Sequence, residues 1–235
     1  MRSTTTRTTK VILGLVVLAV VAVVGGTWTY INVIKDDAPE RLTLTEDPAA
    51  SDASDPRGDT AGGLEGTWMA TDGSQAGYRV KEVLFGQDTE GVGRTSDVTG
   101  TVTVEGTTVT VAEFEVDMTT ITSDAERRDG QFHGRLMDTA QFPTATFVLT
   151  QPIELGPEAA AGEVVSATAV GELTLRGQTK PVEIDLEARQ SRDTFEVAGS
   201  LPIVFADWGI PNPSNVAATV GDEGEMELLL ILVKR

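Results

Sequence analysis

The sequence predicts an all-β fold: an antiparallel β-barrel of about eight strands with one inserted helix, preceded by an N-terminal transmembrane helix. Apolar and polar residues alternate along most segments after residue 65, which is typical of strands with one buried face. The connections between these segments are hairpin-length, and strands do not alternate with helices, which favours a meandering barrel. One segment, residues 117–147, has a helical pattern, and one, residues 11–34, is apolar enough to cross a bilayer.

The apolar run at residues 11–34 has 24 positions without a charge, which corresponds to about 36 Å of α-helix. Basic residues lie before the run and Asp36 and Asp37 follow it, so the positive-inside rule puts the tail of residues 1–10 in the cytoplasm. The alternative is a cleaved signal peptide, but the apolar core of such a peptide is usually about 7 to 15 residues. We therefore expect a single-pass cell-membrane protein with an extracytoplasmic folded domain, which would be secreted if the segment is cleaved.

Composition separates a linker from the folded domain and excludes several classes of function. Residues 35–65 predict an acidic flexible linker, because proline and glycine are frequent and large apolar residues are few. Residues 66–235 then form the barrel domain. The formal net charge of −18 repels phosphate backbones, so we expect no nucleic-acid partner. The chain has no cysteine, which excludes disulfides and thiolate chemistry.

The first strands of the domain carry the features of a barrel end and a bend. Trp68 stands two residues after Gly66 at the first strand, which is similar to lipocalins, where such a ring closes one end of the barrel. The next apolar segment changes parity between Tyr78 and Val83, which predicts a bulge near Lys81–Glu82. Bulges of this kind let a sheet curl, as barrel closure requires.

Two later strands also depart from simple alternation. Val109 and Val111 share one parity and Phe114 takes the other, so one extra residue near Ala112–Glu113 would restore the pattern. Pro202 interrupts another alternating segment. Because proline cannot donate a hydrogen bond to a neighbouring strand, it predicts an edge or a bulge there.

Small residues occupy one face of the strand at residues 165–175. Ala167, Ala169 and Gly171 lie on the same parity as larger apolar residues. Eight-stranded barrels are wide enough to hold one small ligand, and small inward side chains favour a cavity. The alternative, equally compatible with the pattern, is that a helix or a large side chain packs against these residues.

The predicted helix lies within residues 117–147. Ser123 or Asp124 offers an N-cap oxygen, and Phe142–Pro143 ends any helix before the next strand. The final strand is apolar on both faces from residue 228 to residue 233, so its outer side requires a cover. The helix is the natural candidate for that cover, and the mouth of a pocket is the other place where it could lie.

Residues for metal or catalytic chemistry are scarce. His133 is the only histidine, so a histidine-rich metal site is impossible, and no nucleophile elbow accompanies it. The acidic turn at residues 221–225 lacks the alternating ligand spacing of an EF-hand. We therefore expect no enzyme activity, no metal and no cofactor. A hydrolase or isomerase that uses His133 is the weakest alternative.

Five motifs occur in the domain in a fixed order: Asp117–Thr122, Arg128–Asp129, Gln141–Phe147, Gly171–Val182 and Val220–Glu223. Together they resemble the YceI-like family of bacterial envelope proteins over about residues 66–235. The resemblance implies a lipocalin-like antiparallel barrel that binds a polyisoprenoid or another long apolar molecule. Two positions depart from the family pattern. Val80–Lys81–Glu82 stands where the family often has a histidine, and Gln131 and Phe132 replace the end of an Arg-Asp-x-His-Leu motif, so His133 does not inherit that histidine's role.

The resemblance implies a non-catalytic function in which the barrel takes up one apolar tail, such as that of a polyisoprenoid or an isoprenoid quinone. Burial of the tail would drive binding by about 0.8 kcal/mol per CH₂ group. The candidate lining residues lie on the inward parities and on the helix, and Trp208 is a candidate for the rim or a cap of the barrel. They are Val109, Val111, Phe114, Phe132, Leu136, Phe142, Phe147, Leu173, Leu175, Val197, Phe205 and Trp208. The alternative function is an envelope interaction module with a filled barrel.

Overall fold

The computed structural model describes residues 38–45, 63–84, 86–191, 193–214 and 218–235. The predicted membrane span at residues 11–34 lies outside this part of the chain. Within it, no helix is both long and apolar enough to cross a membrane. Pro39–Arg235 form one compact unit.

Thirteen strands form one antiparallel sheet in the described residues. They are β1 (Gly66–Ala70), β2 (Gln75–Leu84), β3 (Gln87–Thr95), β4 (Val98–Glu105), β5 (Thr108–Asp117), β6 (Thr122–Ser123), β7 (Thr144–Leu149), β8 (Ile153–Glu154), β9 (Val165–Leu175), β10 (Gln178–Ser191), β11 (Thr194–Val204), β12 (Ala218–Val220) and β13 (Glu223–Lys234).

Eight of these strands close a barrel in the order β1-β4-β5-β7-β9-β10-β11-β13, because β13 pairs back onto β1 at Met69 and Val233. The predicted all-β antiparallel barrel of about eight strands is therefore confirmed. The first half of β13 pairs with β2 instead, through Glu225–Leu229. Strands β3 and β6 continue the sheet from β2, so the sheet extends beyond the eight strands of the closed barrel.

The helices are short and lie at the barrel ends. The predicted inserted helix is present as α1 (Glu126–Gln131), which continues into a π-helical turn, Phe132–Leu136. A second helix, α2 (Gly156–Ala160), was not predicted, because five residues are too few to show a helical period. The 3₁₀ turns Met118–Thr120 and Phe205–Trp208 complete the set in the described residues.

Neither predicted bulge is found at the position where the sequence placed it. Strand β2 pairs with β3 in an unbroken register, so no bulge is present at Lys81–Glu82, and Val83 is exposed on the outer face. The register of β4 and β5 shifts between Thr103 and Val104, opposite Val109–Val111, which is earlier than Ala112–Glu113. Because the parity changes before Val111, this side chain points outward and is 44% exposed.

Pro202 lies at a strand edge, as predicted. Strand β11 pairs with β13 past this position, at Pro202 and Glu225. On the other side, the pairing of β11 with β10 ends at Asp185 and Ser200. The missing N–H of the proline therefore costs no ladder hydrogen bond to β10.

Residues 39–45, which we call the strap, cross the outer wall of the barrel. The Arg79 and Arg94 guanidinium groups donate to the carbonyl oxygens of Pro39 and Glu40. At the other end of the strap, the Thr45 hydroxyl donates to the Glu196 carboxylate at 2.7 Å. These residues fall within the predicted linker of residues 35–65, and this part of it is bound to the wall by hydrogen bonds.

An ion-pair cluster lies beneath the strap on the outward face of β13. Glu227 is 2% exposed, and one of its carboxylate oxygens accepts from Arg79 Nε at 2.5 Å. Arg94 Nη2 lies 3.0 Å from the other oxygen. Arg41 of the strap pairs with Glu225 at 2.6 Å. The strap thus covers the outer side of β13 at Glu225 and Glu227.

The helix does not cover the outer side of the last strand, which corrects the prediction. Helix α1 and its π-helical turn lie against the inward face of β2, where the ring of Phe132 stacks on Tyr78 with centroids 5.0 Å apart. Parity explains the placement, because Tyr78 faces inward and Arg79, the next residue, faces the strap.

Candidate functional site

An apolar cavity of about 110 Å³ lies inside the closed barrel. Its lining includes six alanines, whose small side chains leave the space unfilled: Ala76, Ala112, Ala145, Ala167, Ala169 and Ala188. Several large inward side chains at the cavity, such as Phe114, Phe147, Leu186 and Leu228, are only partly buried. Apolar side chains in a filled core would be fully buried, so this part of the barrel is not filled.

The sequence left open whether the small inward residues of β9 border a cavity or make room for a large side chain, and the structure shows both. Ala167 and Ala169 line the cavity. At Gly171, in contrast, the ring of Phe147 lies where a Cβ would stand, so this glycine makes room for a large side chain. Cavity and packing therefore occur along the same strand.

One end of the barrel is sealed by apolar packing around Trp68. The Trp68 ring nitrogen donates to the carbonyl oxygen of Leu64 at 2.8 Å, and its ring lies 5.8 Å from that of Phe195. The Lys234 ammonium lies over the same indole ring. Ala159 of α2 is also fully buried in this core. The predicted role of Trp68 at a barrel end is confirmed by its position.

The opposite end is closed by α1 and its π-helical turn. Arg128 pairs with the inward-facing carboxylate of Glu82 at 3.0 Å and also with Asp124. Ser123 donates to Asp129 through its backbone N–H at 2.9 Å and its hydroxyl at 2.6 Å. These contacts fix the start of the helix through charged groups, whereas apolar packing seals the Trp68 end.

The phenol of Tyr78 is enclosed beneath the helix. Burial raises the pKa of Tyr78 far above its ordinary value, and the nearby charge of Arg128 only partly offsets that effect. The side chain therefore stays neutral across the physiological range. The neutral phenol ring of Tyr78 therefore packs on Phe132 as an aromatic pair at this end of the barrel.

His133 is not part of a catalytic arrangement among the described residues. Its ring meets that of Phe132 edge-on at 5.3 Å, and its Nδ1 lies 3.5 Å from the Thr139 hydroxyl. No carboxylate of the described chain forms an ion pair with it, and no group of three or more potential metal ligands is found in the same residues. The imidazole packs at the surface of the helix.

The structure brings five of the twelve candidate residues to the cavity: Val109, Phe114, Phe147, Leu173 and Val197. Leu175 and Phe205 are buried in the core without lining the cavity, and Phe132 is buried against Tyr78. Leu136 and Phe142 are half-buried near the helical end. Their participation in binding stays a prediction.

Two other candidates lie away from the cavity wall. Val111 is on the exterior, because the bulge reverses its parity, and it cannot contact a ligand inside the barrel. Trp208 is buried at the end of β11, where the Lys180 ammonium lies over its ring.

The list of candidate lining residues left out the alanines and five leucines that line the cavity: Leu149, Leu155, Leu186, Leu228 and Leu230. Leu186 and Ala188 share the parity of Ile184, which also lines it, so the alternation contained the signal. The selection of large residues for ligand contact passed over them. In an underfilled barrel, the small side chains define where the space is.

A family model and curated relatives match this chain. The YceI-like domain model matches residues 69–231. A UPF0312 protein of Shewanella sp. (strain ANA-3) is 32% identical over 147 residues, which cover 57% of this chain and 73% of the relative. A UPF0312 protein of Shewanella sp. (strain MR-7) matches equally well.

Solved structures share the fold at lower identity. A polyisoprenoid binding domain from Saccharophagus degradans, implicated in plant cell wall breakdown, has a TM-score of 0.56 at 16% identity, covering 73% of this chain and 99% of that one. BcnA from Burkholderia cenocepacia has a TM-score of 0.54 at 18% identity, covering 67% of this chain and 95% of that one. At these identities the likeness shows the fold.

Proposed function

We propose, from the premise that this chain belongs to the YceI-like family, that its barrel binds the long apolar tail of a lipid of the isoprenoid class. The protein acts as a carrier or reservoir that is tethered outside the cytoplasm by the apolar segment at residues 11–34. The ligand itself is a lipid and not a cofactor, and no catalysis is required.

The observation that carries this proposal is the underfilled apolar interior. Inward leucine and phenylalanine side chains keep accessible surface, and the cavity lining is almost entirely apolar. An apolar tail would remove this surface from water, at about 0.8 kcal/mol per buried CH₂ group. Water in the same space would find few hydrogen-bond partners.

The size of the cavity indicates how binding proceeds. A volume of about 110 Å³ holds only the first few carbons of a tail. A longer tail requires side chains such as Phe114 and Phe147, which are only partly buried, to change rotamer. The polyisoprenoid-binding domain from Saccharophagus degradans shares this fold, which supports the ligand class.

The test compares two substitutions at neighbouring residues on opposite faces of β9. Ala169 faces the cavity and is buried, whereas Thr168 faces outward and is exposed. The full chain and the variants Ala169→Phe and Thr168→Phe are purified, extracted with organic solvent and analysed by mass spectrometry. We expect bound lipid in the wild type and in Thr168→Phe, and a large loss in Ala169→Phe because its ring fills the space.

Two results would count against the proposal. One is a wild-type extract without stoichiometric lipid, combined with no uptake of an added isoprenoid alcohol. The other is equal lipid recovery from Ala169→Phe and Thr168→Phe. Circular dichroism and thermal unfolding of both variants confirm that the comparison is between folded proteins.

The membrane tether has a separate test. We expect the full chain to remain in the membrane fraction after alkaline carbonate washing, whereas a chain lacking residues 1–34 is released. A full chain found only in soluble fractions, at a mass that corresponds to loss of the N-terminal segment, would support cleavage and secretion instead.

A further inference from the structure

A group of hydrogen-bond donors lies at the helical end of the barrel, in the turn before β10 and on the first residues of that strand. Lys180 belongs to the even-numbered parity of this strand, which faces inward at Ile184 and Ala188. Its cross-strand partner is Leu173, which lines the cavity. Directly paired residues have Cβ atoms about 5 Å apart, so Lys180 stands at the edge of the cavity.

The charge of Lys180 is not neutralised by a carboxylate of the described chain. Its ammonium lies 5.6 Å from the centroid of the Trp208 ring, and it forms no ion pair in the described residues. Asp207, the acid next to this tryptophan, is exposed. A cation–π contact uses the charge of the ammonium but leaves its N–H donors available to an acceptor.

Arg176 and Gln178 extend the group along the same edge. Arg176 Nη1 donates to the carbonyl oxygen of Gly209 at 2.5 Å, while its Nε is buried without a hydrogen-bond partner. Gln178 Nε2 lies 2.9 Å from the place where a Cβ on Gly209 would stand. Gly209 has a φ of 62°, and its lack of a side chain lets both donors approach the backbone.

We propose that Arg176, Gln178 and Lys180, which we call the donor cluster, recognise the phosphate or diphosphate headgroup of the lipid whose tail enters the cavity. This inference rests on the proposed function and names its ligand class as an anionic isoprenoid. Guanidinium, amide and ammonium donors form strong charge-assisted hydrogen bonds with phosphate oxygens. The formal charge of the chain is −18, which would repel an anion from most of the surface. The cationic donors at the cavity edge provide a local positive charge that can bind one.

The arrangement also fixes the direction of the ligand. The opposite end of the barrel has its own lysine over a tryptophan, but Lys234 donates there to the carbonyl oxygen of Gly63 at 3.1 Å and the end is sealed by apolar packing. The headgroup therefore stays at the end closed by α1, and the tail points toward Trp68.

The experiment measures the affinity of the full chain, in neutral detergent, for geranylgeranyl phosphate, geranylgeraniol and inorganic phosphate. Wild-type protein is expected to bind the phosphate ester about tenfold more tightly than the alcohol. One charge-assisted hydrogen bond at a partly exposed site accounts for a preference of this size. Lys180→Met is expected to reduce that preference to about threefold or less without changing the affinity for the alcohol. Lys180→Arg should keep the preference, and Lys81→Met, at an exposed outward position, should behave as wild type.

The outcomes separate the two proposals. Equal wild-type affinity for ester and alcohol, or a preference that survives Lys180→Met, overturns the headgroup assignment and leaves tail binding intact. Failure of both isoprenoids to bind overturns the proposed function itself. Displacement of the ester by inorganic phosphate alone would assign the cluster to free phosphate instead of a lipid headgroup. Loss of the ester preference at high salt, with alcohol binding unchanged, supports an ionic contact.

Discussion

Around Glu227, the two faces of β13 reverse the usual relation between polarity and burial. On the inward face, Met226 and Leu228 are only partly buried, because they border the cavity. On the outward face, Glu227 is almost completely buried between Arg79, Arg94 and the strap. In this strand the apolar interior is accessible and a charged residue on the exterior is enclosed.

The difference shows that burial here depends on what covers each face. Enclosing Glu227 removes a charge from water, and the hydrogen bonds from Arg79 and Arg94 must offset that cost. The inward apolar surface has no such partner. Exposed apolar surface of this kind is typical of a binding site, and an apolar tail would cover it.

The largest expected effect comes from the buried charge. Glu227→Ala leaves the enclosed guanidinium of Arg79 with Glu90 as its remaining acidic partner, and we expect a loss of about 3 kcal/mol in the free energy of unfolding. The matched control is Glu225→Ala, since Glu225 pairs with Arg41 but its side chain is 29% exposed. That variant should lose less than about 1 kcal/mol.

Urea denaturation of both variants checks this prediction. Equal losses would mean that enclosure by the strap does not distinguish Glu227 from Glu225. Lipid content measured on the same samples should stay unchanged, because both carboxylates lie on the outward face of β13, where they pair with Arg79 and Arg41.

A second prediction concerns two adjacent leucines on opposite faces. Leu229 faces outward and is buried, whereas Leu228 faces the cavity and is partly accessible. We expect Leu229→Ala to cost about 2–3 kcal/mol and Leu228→Ala about 1 kcal/mol, because truncation beside an existing space removes fewer contacts. The reverse order in thermal or urea unfolding would show that the interior is packed more tightly than the outer wall. Bound lipid should enlarge the effect of Leu228→Ala.

The strand pattern was predictable because alternation is a local property. Residues 182–188 alternate without interruption, and the structure pairs them with β9 in one continuous register. The bulge in β5 was expected but misplaced, because an extra residue at any of several positions restores the same pattern. That ambiguity of a few residues was enough to put Val111 on the wrong face.

The strap and the cavity were harder to predict, for different reasons. The binding of residues 39–45 depends on Arg79 and Glu227, which are 148 positions apart in sequence and adjacent only after the barrel forms. Proline, acidic residues and few large apolar residues indicate a solvated segment in isolation. The cavity depends on the summed volume of side chains from nine strands, so alternation identified candidate lining residues but not whether the space was filled.

A third prediction concerns α1 and its π-helical turn, which cover the inward face of β2. Arg128→Met removes one ion-pair partner of Glu82 and should cost about 2 kcal/mol, since a hydrogen-bonded charge at a mostly buried site is lost. If α1 and the strap cover the two faces of β2 independently, amide hydrogen exchange should become faster in residues 126–136. It should stay unchanged in the strap and in α2. Faster exchange in the strap as well would show that the inward and outward covers are coupled through β2. Arg127→Met, at a neighbouring exposed position, is the control.

The smallest effect is a pH dependence from Tyr78, the inward neighbour of the outward-facing Arg79. Burial raises the pKa of Tyr78 above the ordinary value of about 10. The folded state therefore holds the phenolic proton more tightly than the unfolded chain, and this contribution to stability is complete below about pH 10 and lost as pH rises. Below about pH 9, Tyr78→Phe should cost about 1 kcal/mol, through loss of the hydrogen bond with Ser123.

Above about pH 10 the difference in stability between wild type and Tyr78→Phe should shrink by about 1 kcal/mol per pH unit. Urea midpoints measured from pH 8 to pH 11 provide the comparison, and lysine titration cancels because it is common to both proteins. Arginines remain charged throughout this range, so the outward cluster around Arg79 should contribute no slope to the difference. A difference that stays constant with pH would place the phenol in contact with water, and the helical cover would then protect the inward face of β2 less well than the strap protects the outward one.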